Sequence, residues 1–416
     1  MSLGSLGIKM KTVLFFILLV SHAHAQITGT HGPVLIKKPD TQIKVAALGY
    51  GGCVMYNQGV KCWGRNQFGA VGNNSTTDSQ TAVAVTGLAP GTRAGVSDIC
   101  GGDNHACVIR NGGVQCWGSN SDAQIGISTA TTQRETADWV TNLGSGSGVT
   151  GLACGSRHTC AIVSGGVQCW GSRNSLGTGM LGDGLTTGNR FTPDWVTNLG
   201  SGSGVTYIGG GAWSRTTCAI LNDGSMRCWG KGNRGELGIG GTSDSATPVT
   251  PTGFGAGSGV TKVSTGWEHV CAQIADGLKC WGYNVKGEIG TGNNGQQTSP
   301  YTTLAAGSLV KDFTTGSRYT CVRYTSGVMK CVGAHQNGVL GNGTVNAITY
   351  STALQDVGNE CLNSYSMASG GDRTFIVCAN ITGIRGWGSG QYYSLGNSST
   401  SAQSSAVNAA SGVPVP

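Results

Sequence analysis

An all-β fold, a seven-bladed β-propeller of about 50-residue repeats, is what this sequence predicts, and three observations in register predict it. A Trp-Gly pair recurs at Trp63, Trp117, Trp170, Trp229, Trp281 and Trp387, with Val332-Gly333 in sixth place, at intervals of 51 to 59 residues. A second glycine signature follows each pair: Gly69-Ala-Val-Gly72, Ala123-Gln-Ile-Gly126, Gly179-Met-Leu-Gly182, Gly235-Glu-Leu-Gly238, Gly287-Glu-Ile-Gly290, Gly338-Val-Leu-Gly341 and Tyr393-Ser-Leu-Gly396. Before each pair stand two short β-prone runs joined by a turn, as in Cys107-Val-Ile-Arg-Asn-Gly-Gly-Val-Gln-Cys116. Units of this kind hide their edges when closed radially, and seven units give seven blades. The stretch from Asp138 to Thr150 reappears letter for letter from Asp194 to Thr206, as duplication of one blade would leave it.

At the front of the chain, Lys9 and Lys11 precede an apolar run from Thr12 to Val20, and Ala23-His-Ala25 supplies the small residues a signal peptidase needs. Residues 1–25 therefore read as a secretory signal peptide and 26–416 as a single propeller, with Met10 offering a second, more compact start. The apolar run is too short for a resident membrane helix, and no later segment is long and apolar enough to span a bilayer. The expected location is extracellular or periplasmic.

Seventy-three glycines and 11% charged residues suit short strands and tight turns and leave no helical periodicity to bury. The formal net charge of +7 is spread thinly, with no basic run beyond Lys37-Lys38, which argues against a nucleic-acid surface. Two short segments flank the units, Gly32 to Ile36 before the first and Ser405 to Pro416 after the last. They read as leftover strands that share a blade and latch the ring.

The hairpins explain most of the 16 cysteines. If Asn111-Gly112 forms a two-residue type I′ turn, Cys107 and Cys116 face each other at a non-hydrogen-bonded pair, close enough for a disulfide. Asn222-Asp-Gly224 and Thr325-Ser-Gly327 carry one extra turn residue, and there the cysteines also stand one residue further apart. Six pairs follow: Cys53 with Cys62, Cys107 with Cys116, Cys160 with Cys169, Cys218 with Cys228, Cys271 with Cys280, and Cys321 with Cys331. Cys100 and Cys154, at nearly equivalent places in adjacent units, form a further expected pair, and Cys361 with Cys378 another in the last unit, whose hairpin is placed near 378–387. Intervals of nine or ten residues do not suit zinc, and no metal or cofactor is expected.

At these residues the chain resembles the regulator of chromosome condensation repeat family, whose unit carries Gly-x-x-His, then Trp-Gly, then Gly-x-Leu-Gly. Gly102-Asp-Asn-His105, Gly155-Ser-Arg-His158 and Gly266-Trp-Glu-His269 match the first element, while Gly316-Ser-Arg-Tyr319 and Gly371-Asp-Arg-Thr374 depart from it. The resemblance covers nearly the whole expected mature chain and implies the propeller fold. It leaves function open, since the family spans a nucleotide exchange factor for the Ran GTPase, ubiquitin ligases and secreted propellers that bind other proteins. An exported, disulfide-bonded chain fits the secreted binders better than the exchange factor.

His105, His158 and His269 share one repeat position, which suits a structural hydrogen bond better than a catalytic set. Gly177-Thr-Gly-Met-Leu-Gly182 and Gly290-Thr-Gly-Asn-Asn-Gly295 fit Gly-x-Gly-x-x-Gly without opening a helix after a strand, and no other catalytic signature is present. An enzyme is not expected. The Trp-Gly tryptophans read as packing between blades, because alternation along the strand turns them away from the cysteine face. Trp213 and Trp267 instead break the repeat, in the connection before the inner hairpin, with Tyr50, Arg157, Arg215, Arg318, Tyr319 and Arg373 at matching places. Tryptophan, tyrosine and arginine on loops of a rigid frame point to a binding face. The expected function is an exported module recognising a protein partner there, with binding or adhesion to a cell-surface glycan as the alternative.

Overall fold

The computed structural model describes residues 42–128, 131–173, 179–344, 350–358, 364–378, 383–410 and 413. Seven antiparallel four-stranded sheets, each of four strands consecutive in sequence, form blades at 44–84, 96–139, 149–195, 205–249, 260–304, 310–356 and 364–409. Their innermost strands surround a central channel of about 680 Å³, lined from all seven blades. This is the predicted seven-bladed propeller. Residues 1–25, the segment Gly32 to Ile36 and Cys361 lie outside the described residues.

Local chemistry shapes each blade as the spacing requires. Asn111 and Gly112 both have positive φ, +48° and +73°, as a type I′ turn demands, and Cys107 pairs directly with Cys116. All six hairpin disulfides form across such pairs with 4.1 Å between α-carbons. Cys100–Cys154 joins the inner strands of blades 2 and 3. The glycine after each tryptophan is needed for a different reason. Gly118 has φ +100° at a bulge between the third and outer strands, where a β-carbon would stand 2.4 Å from the Asn104 carbonyl oxygen. Gly333 shares that geometry, so glycine persists in blade 6 although valine replaces the tryptophan.

Blades are joined by one recurring contact. Each Trp-Gly indole is completely buried and donates its Nε1–H to the carbonyl of the second residue of the preceding blade's glycine signature. Trp117 binds Ala70, Trp170 binds Gln124, Trp229 binds Met180, Trp281 binds Glu236 and Trp387 binds Val339, at 2.7–3.2 Å. Val332 has no such donor, and there the Thr320 hydroxyl donates to the Glu288 carbonyl instead.

Among the described residues the ring closes without a shared strand; Gly32 to Ile36, the other half of the expected latch, lies outside them. The segment from Ser405 supplies the end of Gln403–Ala409, the outer strand of blade 7, whose other three strands come from the same unit. Closure comes instead from Trp63 Nε1–H donating to the Ser394 carbonyl and from an apolar cluster joining Val45, Val54 and Trp63 to Phe375, Leu395 and Ala409. Gly52 faces Trp63 across the hairpin, and the absent side chain lets Phe375 approach the indole edge-on at 5.2 Å. The blade 7 hairpin is also displaced from its expected place: Phe375 and Gly386 occupy the usual cysteine positions, and Cys378 ends its strand. Cys378 is disulfide-bonded.

Trp63→Phe keeps the ring packing but strands the buried Ser394 carbonyl. We expect a loss of about 1–3 kcal/mol, read as a lower midpoint of urea unfolding with the disulfides intact. An unchanged midpoint would show that this contact does not hold the ring.

Candidate functional site

The variable connections between inner and second strands lie on the same face as the glycine-signature loops, because each connection accepts a hydrogen bond from the start of such a loop. The carbonyls of Tyr50, Asn104, Arg157, Arg215, Glu268, Arg318 and Asp372 accept the N–H of the residue following Trp-Gly, or Val-Gly in blade 6. These seven residues hold one equivalent position in each blade, and four of the eight residues singled out from sequence are among them. Tyr50, Arg157, Arg215 and Arg318 belong to this set.

Tyr319 and Arg373 do not. Both are buried and stand opposite the glycine of the Trp-Gly or Val-Gly pair, where His105, His158 and His269 stand in blades 2, 3 and 5. Tyr319 donates its hydroxyl to the Arg373 carbonyl at 2.6 Å and meets the Thr374 hydroxyl at 3.0 Å, the counterpart of the threonine that each histidine meets in the following blade. In blade 7 the leading glycine is Gly370, which pairs with Arg373, so the sequence alignment on Gly371 was one residue out of step. Arg373 donates to the carbonyl of Gly49 and lies under the Tyr50 ring, supporting the face from beneath.

The histidines are structural. Thr159 donates its hydroxyl proton to the Gln124 carbonyl, so the contact of 2.9 Å with His105 requires His105 to donate from Nε2. Thr320 imposes the same tautomer on His269. Burial pushes the imidazoles of His105, His158 and His269 down to about 3, 4 and 4, which keeps them neutral.

Trp213 dominates the centre of the face. Its connection runs from Gly211 to Thr216, two residues longer than Gly102 to His105, and this length carries the indole across the ring axis. Trp213 donates from Nε1 to Asp103 of blade 2 at 2.9 Å, packs on Tyr50 of blade 1 at 5.7 Å and meets Trp267 of blade 5 edge-on at 6.3 Å. A β-carbon on Gly371 of blade 7 would lie 3.2 Å from it. One side chain from blade 4 thus closes one mouth of the channel. Tyr50 also meets Tyr392 at 5.6 Å, Arg65 lies over both tyrosines, and Arg318 lies 4.8 Å above Trp267.

Charge on this face is unevenly satisfied. Asp103 is held by Trp213, Asp372 by Ser317 and Asn337, Asp122 by Arg157, and Glu268 by Lys231. Glu236 and Glu288 are buried, each accepting a backbone N–H two residues back, and burial pushes both carboxyls up to about 7. Among the described residues Arg215 and Arg318 have no ion-pair partner, and the Nε of each is unpaired. Cys100, Cys107 and Cys154 cluster closely enough to suggest a metal site, but their sulfurs belong to two disulfides.

Sequence reasoning did not find Arg65, Asp103, Lys231 or Tyr392. Tyr392 had a signal: it adjoins Tyr393, which replaces the first glycine of the seventh signature, and both tyrosines hold left-handed φ of +58° and +56°.

Residues 223–273 and 96–124 match the regulator of chromosome condensation (RCC1) repeat. The chain is a seven-bladed propeller that is similar to this repeat over those two stretches. It is 31% identical over 267 residues to the ultraviolet-B receptor UVR8 of Arabidopsis thaliana, covering 62% of this chain and 57% of that protein. It is 27% identical over 210 residues to the human probable E3 ubiquitin-protein ligase HERC4, covering 50% of this chain and 19% of the ligase. The chain therefore spans little more than half, and about a fifth, of the length of these repeat-containing relatives. In three dimensions the repeats superpose on yeast RCC1 (Prp20), solved with Kap60, with a TM-score of 0.71 at 18% identity over 94% of this chain and 90% of that one. Human WBSCR16 gives a TM-score of 0.69 at 18% identity over 82% and 87%. At this identity the two structures establish the fold.

The buried groups make stability depend on pH in two opposed ways. Below about pH 6.5 the unfolded histidines bind protons that the folded ones refuse, so stability falls as pH drops toward 4. Glu236 and Glu288 bind protons more tightly when folded, so their contribution is complete below about pH 4.5 and is lost as pH rises through 7. The Glu236→Gln/Glu288→Gln protein should match the parent at pH 4.5 and exceed it at pH 8, by on the order of 2–3 kcal/mol per site at most. Thermal melts at the two pH values check this.

Proposed function

We propose that this protein is an exported recognition module whose Trp213 face binds a protein partner presenting acidic side chains. The observation that carries the reading is the line of stacked groups Tyr392, Arg65, Tyr50, Trp213, Trp267 and Arg318 across one channel mouth, with Arg215 and Arg318 lacking carboxylate partners among the described residues. Interface energy concentrates in aromatic and guanidinium anchors on a rigid frame, and a guanidinium on an indole retains its outward donors for a carboxylate. Protein binding is also in keeping with similar propellers, since yeast RCC1 is solved bound to Kap60 and described with binding to Gsp1p and histones.

A glycan ligand is less well supported. Sugar rings stack on open aromatic faces, and here guanidiniums occupy a face of Trp267, Tyr50 and Tyr392. Export rests on the signal-peptide pattern of residues 1–25 and on the disulfides, which persist in oxidising compartments. Among the described residues no helix is long and apolar enough to cross a membrane.

The test is affinity capture from surface and extracellular fractions with oxidised protein of residues 26–416, beside Trp267→Ala, Arg318→Ala and, on the opposite face, Leu309→Ser. One protein should be retained by the parent and Leu309→Ser and weakened by about 2 kcal/mol or more in the face variants, with unchanged circular dichroism. Retention by all four would move the site elsewhere, and retention of glycan alone would replace this reading.

A further inference from the structure

We propose that Cys100–Cys154 is an exchangeable disulfide, opened by a small thiol entering through the central channel and coupled to the neighbouring Cys107–Cys116 bridge. Cys100 and Cys154 lie on inner strands and line the channel, and Cys100 is partly exposed. The twelve cysteines of the six hairpin bridges are all buried. Access decides which disulfide a thiolate can reach, so this inter-blade bridge is the point of entry.

Strand register provides the coupling. Cys107 stands between two possible partners, facing Cys116 on one side and Cys100 on the other. The sulfurs of Cys100, Cys107 and Cys154 lie within 4.8 Å of one another. Four cysteines, Cys154, Cys100, Cys107 and Cys116, therefore form a row across two blades. In blades 1, 4, 5 and 6 the inner-strand residue paired with the equivalent cysteine is Ala46, Gly209, Ser264 or Thr314, which cannot exchange.

The chemistry balances with a thiol as the sole co-reactant. A thiolate attacks Sγ of Cys100, forms a mixed disulfide and expels the Cys154 thiolate. A second thiol releases Cys100 as thiolate and leaves as the oxidised disulfide, so two thiols supply the two electrons. Cys100 can then attack Sγ of Cys107, forming Cys100–Cys107 and expelling the Cys116 thiolate, with no further change in oxidation state. One free thiol thus moves from Cys100 on the channel wall to Cys116 in the buried hairpin, while Cys154 stays reduced and the propeller stays folded.

The oxidised protein is exposed to graded glutathione, quenched with N-ethylmaleimide and mapped by peptide mass spectrometry, with circular dichroism followed in parallel. Cys154, and Cys100 as its mixed disulfide with glutathione, should be modified at least about tenfold faster than the cysteines of the five hairpin bridges other than Cys107–Cys116. A folded protein dithiol too large for the channel should not reproduce that preference. In Cys154→Ser, a Cys100–Cys107 link with alkylated Cys116 should accumulate; should this variant not fold, the same link is sought in wild type at limiting glutathione. Opening of the other five hairpin bridges as early as Cys100–Cys154, equal attack by the protein dithiol, or absence of the Cys100–Cys107 link where it is sought would each overturn the proposal.

Discussion

The backbone carbonyl at the second position of each glycine signature is the constraint on which the ring depends. An indole N–H of the next blade reaches it in six of the seven joints, and a threonine hydroxyl reaches it in the joint where valine replaces tryptophan. A buried carbonyl without a donor is costly, so each joint needs a donor on the incoming blade. At Gln124 the carbonyl accepts both Trp170 and Thr159, and Thr159 in turn accepts from His105. The three repeat features read from sequence are therefore parts of one clasp. The histidine orients the threonine, the tryptophan fills the joint, and the glycine signature presents the acceptor.

Because the clasp sets spacing and angle, the connections above it are free to differ. Tyrosine, asparagine, arginine, glutamate and aspartate all occupy the seven ring positions, since only their backbone carbonyls are engaged by the scaffold. Blade 4 uses this freedom most, with two extra residues that carry Trp213 over the axis. The arrangement is rigid at its base and chemically varied at its surface, which is the condition under which a few anchors dominate recognition.

Burial organises charge on the same face. Asp103 is raised by burial and partly restored by its bond from Trp213 and by nearby arginines, whereas Glu236 and Glu288 are raised to about 7. The two deeper carboxyls are consequently only partly ionised at neutral pH, and the exposed acids are committed to neighbours. Arg215 and Arg318 form no ion pair among the described residues and feel only the longer-range pull of Glu268, Glu236 and Glu288. The disulfides with both cysteines among the described residues follow a similar division, with six local staples inside hairpins and one bridge between blades facing the channel.

Blade number, the type I′ turn at Asn111-Gly112 and the six hairpin disulfides were legible in the sequence, because each depends on spacings of a few residues or on a period that repeats. The sequence also singled out Tyr50, Arg157, Trp213, Arg215, Trp267, Arg318, Tyr319 and Arg373 at the connection before the inner hairpin, where residue type varies between units. Only the tertiary structure decided which of these converge. Trp213 meets Asp103 at a sequence distance of 110 residues, a contact that no local pattern encodes. Tyr319 and Arg373 turn inward at the position of the buried histidines, Tyr319 in register with them and Arg373 because the leading glycine of blade 7 is Gly370 rather than Gly371. Local periodicity determines the ring; the meeting of side chains across its axis depends on distances that exist only once the ring has closed.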